Sequence, residues 1–198
     1  MRYESSWLLH PFLLAIAACG EPAPTSPVVA VVDAYGNTRC SAFATRGVLL
    51  TAAHCVPGGT DNVSYRRRAS YTVGVDRASV LLVNTEEDWA ALDPGPGAAL
   101  PEFALAEPQP GAVSTQAAIA DWETAEGILG ESYFAGDSLR WSAALDVEPG
   151  WSGSPILQNG HAIGILQTCR GAEWPSKSCV RPGFVTFFPV LSATKDAL

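Results

Sequence analysis

The sequence predicts an all-β protein built in two halves, and three observations carry that expectation. From Pro27 onward the apolar residues fall in short β-branched or aliphatic runs separated by Gly, Pro, Asn and Asp, with no long stripe at helical spacing. Runs this short do not sustain independent helices. Next, Pro94-Gly95-Pro96-Gly97, followed by Pro101, Pro108 and Pro110, breaks the chain near its midpoint and reads as a connection between two β units. Finally, Asn159-Gly160 stands between Ile156-Leu157-Gln158 and Ala162-Ile163-Gly164-Ile165-Leu166. Asn-Gly between apolar runs is the strongest short hairpin signal, because both residues tolerate the positive φ of a type I′ turn. A barrel or a sandwich satisfies all three.

Taken in order, Val28–Val32, Gly47–Ala52, Tyr71–Val75 and Val80–Val83 predict strands of the first half. In the second half, Thr124 to Gly130 fits either a brief helix or an exposed loop. His161 follows the Asn-Gly turn and reads as a solvated turn histidine. Arg66, Arg67 and Arg68 form the one basic run and read as a solvated loop or strand edge. No internal sequence repeat is evident.

Composition narrows the function classes. With 198 residues, 47% hydrophobic and 16% charged, the chain buries a core and is globular. A net charge of -8 opposes binding to nucleic acid, which needs a concentrated excess of Lys and Arg to neutralise phosphates.

The first 27 residues read as an export segment. Arg2 precedes the apolar stretch Trp7 to Ala18, too short to span a bilayer permanently, and Cys19-Gly20 follows. Ile16-Ala17-Ala18-Cys19 resembles the bacterial lipobox. That resemblance implies a signal peptide over 1–18, diacylglyceryl transfer to the Cys19 thiol, and a mature chain beginning at Cys19; an ordinary small-residue cleavage site is the alternative. The Pro-rich stretch 19–27 then suits an extended tether holding the folded part at a membrane. Export also permits disulfides, and the four other cysteines offer two local pairings, Cys40 with Cys55 and Cys169 with Cys179. The first closes a 15-residue loop, for which chain entropy gives about 3 kcal/mol. No CxxC occurs and few histidines remain, so a metal site is not expected.

Two segments carry chemistry. Val48-Leu49-Leu50-Thr51-Ala52-Ala53-His54-Cys55 places an imidazole directly after a buried run, where packing fixes its orientation as a general base requires. Gly150-Trp151-Ser152-Gly153-Ser154-Pro155 places a hydroxyl in a tight glycine-bearing turn, whose backbone N–H groups converge beside it. Between them lies Glu86-Glu87-Asp88-Trp89-Ala90-Ala91-Leu92, a carboxylate leading into an apolar run.

Together these segments resemble the trypsin-like serine peptidases, compact bacterial type. Thr51-Ala-Ala-His-Cys55 is similar to that family's histidine motif, Asp88-x-Ala90-x-Leu92 to its aspartate segment and Gly150 to Pro155 to its serine motif. The chain order His, Asp, Ser is that of the family and not of α/β-hydrolases. The likeness extends over Val28 to Leu198, through Cys179-Val-Arg-Pro-Gly-Phe-Val-Thr186. It implies two six-stranded antiparallel barrels, about 28–103 and about 110–198, with the active site between them. It implies a triad of His54, Asp88 and Ser152, an oxyanion hole from the Gly150 and Ser152 N–H groups, and Cys40 paired with Cys55. It further implies peptide-bond hydrolysis through an acyl-enzyme with no cofactor, acting on protein or peptide substrates as a monomer; a surface protein that kept the fold but lost turnover is the alternative.

Departures from the family pattern also carry meaning. Trp151 replaces the aspartate that, in zymogen-activated trypsins, pairs with a newly exposed N-terminal ammonium, and no Arg or Lys followed by Ile-Val-Gly-Gly occurs near the start. An enzyme needing no N-terminal clipping is expected, with Trp151 either packing the turn or distorting it. Asp146 matches the trypsin position that attracts substrate Arg or Lys, with Gly183 keeping the pocket open; a plain loop carboxylate is the other reading of Asp146. Glu148 replaces the cysteine bridged across this pocket, which leaves Cys179 to pair with Cys169. Leu166 stands where glutamyl endopeptidases carry histidine, which argues against glutamate specificity.

Overall fold

The computed structural model describes residues 26–67, 74–119, 123–135, 137–169 and 183–190. Cys19, the export segment, Tyr71 to Val73, Cys179 and the Cys169–Cys179 pairing lie outside what is described.

The described strands in the first half are β1 (Val28–Val32), β2 (Thr38–Thr45), β3 (Val48–Thr51), β4 (Asn62–Arg66), β5 (Asp76–Asn84) and β6 (Trp89–Asp93). They close into a barrel in the order β1-β2-β3-β6-β5-β4. In the second half β7 (Ala112–Gln116), β8 (Thr124–Ala135), β9 (Ser138–Leu145), β10 (Pro155–Gln158), β11 (His161–Cys169) and β12 (Gly183–Pro189) close in the order β10-β11-β12-β9-β8-β7. Read from its first strand, the second barrel repeats the neighbour order of the first, and every pairing is antiparallel. The all-β expectation with two six-stranded barrels therefore holds, and closure removes the unpaired edges that short open sheets would expose.

Burial explains why the strands read as apolar runs instead of clean alternations. Every residue of β1 and β3 is buried, because one face fills the barrel and the other faces neighbouring structure. One apolar cluster crosses the seam between barrels, joining Val28, Val48, Leu50 and Trp89 to Ala162, Ile165, Phe188 and Val190. Within it the Trp89 and Phe188 rings stack at 6.5 Å. The Pro/Gly-rich connection laces both halves: Phe103 N–H donates to Ala44 O, and Ala106 N–H to Ala162 O.

Three local expectations are corrected. Thr124 to Gly130 is neither helix nor loop but the first part of β8, paired with β7 from Gln116↔Thr124 to Ala112↔Ile128; its exposed outer face hid the strand. Gly74 and Val75 lie outside any strand, and β5 begins at Asp76. Arg66 is not solvated: it is buried at the end of β4, with Nη2 donating to Thr38 Oγ1 at 3.2 Å, while Arg67 ion-pairs with Asp76. Asn159 and Gly160 take φ of +51° and +77°, the left-handed pair that the hairpin between β10 and β11 requires. His161 is exposed beside that turn.

Candidate active site

Strand register brings the histidine and the aspartate together. Thr51, at the end of β3, pairs with Ala90, near the start of β6. Chain leaving β3 and chain entering β6 therefore emerge side by side. His54 sits in a single 3-10 turn, Ala53–Cys55, immediately beyond β3, and Asp88 directly precedes β6. His54 Nδ1 lies 3.0 Å from Asp88 Oδ1 and 2.9 Å from Oδ2, and the His54 backbone N–H also donates to Oδ1, at 3.0 Å. With Nδ1–H donating to the carboxylate, Nε2 is left as the basic nitrogen. The imidazole side chain is 45% exposed and open to solvent. The Cys40–Cys55 disulfide anchors the turn that carries it to β2.

Ser152 arrives from the other barrel, in the turn before β10. Its carbonyl accepts from Ser41 N–H on β2 at 2.8 Å. Gly153 makes this approach possible: at φ +82°, a Cβ there would overlap the Ser41 carbonyl and the Thr51 hydroxyl. Thr51 Oγ1 itself donates to Ser41 O, at 2.7 Å. The turn thus rests directly on the two strands that lead to His54. Ser152 Oγ donates to Gln167 O at 3.2 Å, and no hydrogen bond joins it to His54. Gly150 has φ +100°, and neither its N–H nor that of Ser152 has an acceptor among the described residues.

Trp151 packs into the second barrel beneath the turn. The ring is buried among Leu145, Val147, Ile156, Ile163 and Leu166 in the second barrel's core. The Trp151 backbone N–H donates to Glu148 O and its carbonyl accepts from Ser154 N–H. An apolar peg occupies the place beneath Ser152. The Trp151 Nε1 is buried without a hydrogen-bond partner among the described residues.

The specificity candidates separate. Asp146 is exposed and lines an open recess of about 350 Å³ with Glu123, Thr124, Glu148 and Trp151. Gly183 pairs with Leu145, the residue before Asp146. Leu166 is 2% exposed, so its side chain belongs to the core, and its backbone bonds Gly153 and Ser154. Cys40, His54 and Cys55 place potential metal-ligand atoms within 4.8 Å of one another, but both sulfurs are committed to the disulfide and only the imidazole could coordinate.

Two residues at the site escaped the sequence reading. Gln167 on β11 and Arg140 on β9 are 4% and 8% exposed, and their side chains hydrogen-bond to the loop that carries Asp88. Each is a lone long polar residue inside an apolar strand, which was the available signal.

Paired six-stranded barrels that bring a His–Asp pair and a serine turn to their common seam define the fold of the chymotrypsin-like serine proteases. Solved structures bear this out at low identity. The chain is similar to an HtrA-type protease, AlgW, solved with a decapeptide (TM-score 0.65, 18% identity, 81% of this chain and 51% of that one). It is also similar to the MamO protease domain of Magnetospirillum magneticum (TM-score 0.67, 16% identity, 87% and 96%). A third likeness is to the serine protease of a human pathogenic astrovirus (TM-score 0.60, 19% identity, 82% and 88%). The chain spans about half the length of the HtrA-type protein. No protein-family model matches the sequence, and no curated protein does.

Proposed function

We propose that the chain is a serine endopeptidase. The observation that carries this reading is the His54–Asp88 pair at 2.9 to 3.0 Å, held at the strand ends on which the Ser152 turn rests. The Ser152 hydroxyl rotates from Gln167 O to His54 Nε2 and gives up its proton there as Oγ attacks the scissile carbonyl. Asp88 stabilises the imidazolium, and the Gly150 and Ser152 N–H groups take the oxyanion, each donor worth roughly 3 to 4 kcal/mol of barrier. The imidazolium then protonates the leaving amine, and water resolves the acyl-enzyme by the same route in reverse. No cofactor enters these steps.

Trp151 supports activity without N-terminal clipping, since its buried ring supplies by packing what an ion pair supplies in zymogen-activated relatives. Asp146, with Glu123 and Glu148 around the same recess, supports a preference for Arg or Lys in the substrate through charge-assisted hydrogen bonds. Attachment to a bacterial membrane through Cys19 remains part of the proposal on its sequence motif alone; release of a Cys19→Ser chain from the membrane fraction is its check.

A second reading is a protease-fold binding protein without turnover, favoured by the Ser152 hydroxyl bonding Gln167 O instead of His54. A fluorophosphonate probe separates the two. Covalent labelling that disappears in Ser152→Ala establishes the nucleophile, whereas folded protein that stays unlabelled establishes the binder. A peptide-library cleavage profile lacking Arg or Lys preference eliminates the role given to Asp146.

A further inference from the structure

The loop that presents Asp88 is held from the opposite barrel. Arg140 Nη1 donates to Glu87 O at 2.6 Å and Nη2 to Glu86 O at 3.3 Å. Gln167 Nε2 donates to Glu87 O and, at 3.0 Å, to Asp88 O. Three successive carbonyls ahead of β6 thus accept from two buried side chains. Arg140 Nη1 also donates to Gln167 Oε1, which fixes the amide so that its NH₂ faces the loop. The guanidinium carbon stands 5.3 Å over the Phe188 ring, and Arg140 makes no ion pair among the described residues.

A buried arginine satisfied by carbonyls is an expensive way merely to join two barrels, since the apolar seam around Trp89 and Phe188 already does so. What it holds is specific. Asp88 has φ +54°, a left-handed conformation that a non-glycine residue keeps only when its surroundings over-determine it. That conformation aims the carboxylate back at His54. Gln167 also accepts the Ser152 hydroxyl at its backbone carbonyl, so one residue of β11 touches both the nucleophile and the loop of the carboxylate.

We propose that Arg140 and Gln167 are positioning residues, a clamp from the second barrel that fixes the left-handed Asp88 loop so that its carboxylate meets His54. The proposal rests on the protease reading for its kinetic consequences. Its geometric content stands apart from turnover.

The test uses Arg140→Met and Gln167→Met, with Arg140→Lys as the conservative variant. The downfield proton NMR resonance of the His54 Nδ1–H···Asp88 hydrogen bond reports the clamp directly. It is expected in the wild type, lost or broadened in both Met variants, and partly recovered in Arg140→Lys. With a fluorogenic peptide, kcat should fall roughly 10- to 1,000-fold at little change in KM, below the ~10⁴-fold that disabling the triad carboxylate costs. In an Asp88→Asn background the same substitutions should add almost nothing. Folded Met variants that keep the resonance and the wild-type kcat overturn the clamp, and so do losses fully additive with Asp88→Asn. Should Arg140→Met not fold, Gln167→Met decides, because it removes the amide's contacts to Glu87 and Asp88 while leaving the guanidinium on Glu86 and Glu87. If the wild type is never labelled by fluorophosphonate, the protease reading falls, and the resonance alone still decides the clamp.

Discussion

Replacing Trp151 with alanine should loosen the turn that carries Ser152 more than it damages the rest of the protein. The ring is 4% exposed and packed against Leu145, Val147, Ile156, Ile163 and Leu166. Truncating such an aromatic costs about 3 to 5 kcal/mol, because the lost burial is joined by a cavity the barrel cannot fully close. For a chain of this size each kcal/mol lowers Tm by about 2 to 4 °C, which places the fall at roughly 6 to 20 °C. Trp151→Phe is the control. Nε1 has no partner among the described residues, so that exchange removes an unsatisfied donor along with some packing, and the cost should stay below about 2 kcal/mol. The assay pairs thermal denaturation with the rate of fluorophosphonate labelling, measured below both transitions. Losing much of one oxyanion donor's worth should slow labelling of Trp151→Ala by about 10- to 100-fold, with Trp151→Phe near wild type. If Trp151→Ala melts within about 2 °C of wild type, or melts early yet labels at the wild-type rate, the ring does not set the turn and the argument for constitutive activity fails.

Gly153→Ala should be among the most damaging single-methyl changes. It forces a Cβ into φ +82° and onto the Ser41 carbonyl and Thr51 hydroxyl; the backbone penalty of about 1 to 2 kcal/mol and the overlap of about 1 to 3 kcal/mol add to a loss readable in urea denaturation, and an unchanged midpoint contradicts the docking described here. Asp33 gives a pH signature. Partial burial raises its pKa, but donors from Asn37, Tyr35 and Arg39 outweigh that and hold it at about 2 against an ordinary 3.8. Because the native state then binds the proton less readily than the unfolded chain, this contribution is full above about pH 4 and fades as pH falls toward 2. Asp33→Ala should flatten the stability curve in that window and nowhere else; an equally steep acid limb in the variant counts against it.

What could be read in the sequence follows what is local. β1 was legible to the residue because all five of its side chains are buried and apolar, and the β10–β11 hairpin because Asn-Gly encodes its own backbone. β8 was not, since only its register against β7 and β9 distinguishes it from a loop, and register is a long-range property. The site divides the same way. His54, Asp88 and Ser152 lie in contiguous motifs, each readable within a few residues. Arg140 and Gln167 meet the Asp88 loop from 53 and 79 residues away in sequence, and nothing local marks them except a polar residue in an apolar strand. Trp151 was legible as a departure, but whether it packed or distorted depended on the space beneath the turn.

The repeated strand order adds a reason for where the chemistry sits. In the first barrel, β3 and β6 lie side by side, with Thr51 opposite Ala90, and their emerging ends carry His54 and Asp88. By the same order β9 and β12 are their counterparts in the second barrel, with Leu145 opposite Gly183. The residue leaving β9 there is Asp146. One architectural junction, used twice, thus gives the His–Asp pair in one barrel and the proposed specificity carboxylate in the other. Ser152 and Gln167 stand between these junctions, one hydrogen-bonded through its backbone to β2 and the other through its side chain to the Asp88 loop. A change in how the barrels dock should therefore move Ser152 relative to the His54–Asp88 pair, whereas a change within either barrel moves only the residues that barrel carries. That asymmetry gives buried polar side chains such as Arg140 a role at a seam that apolar packing alone could close.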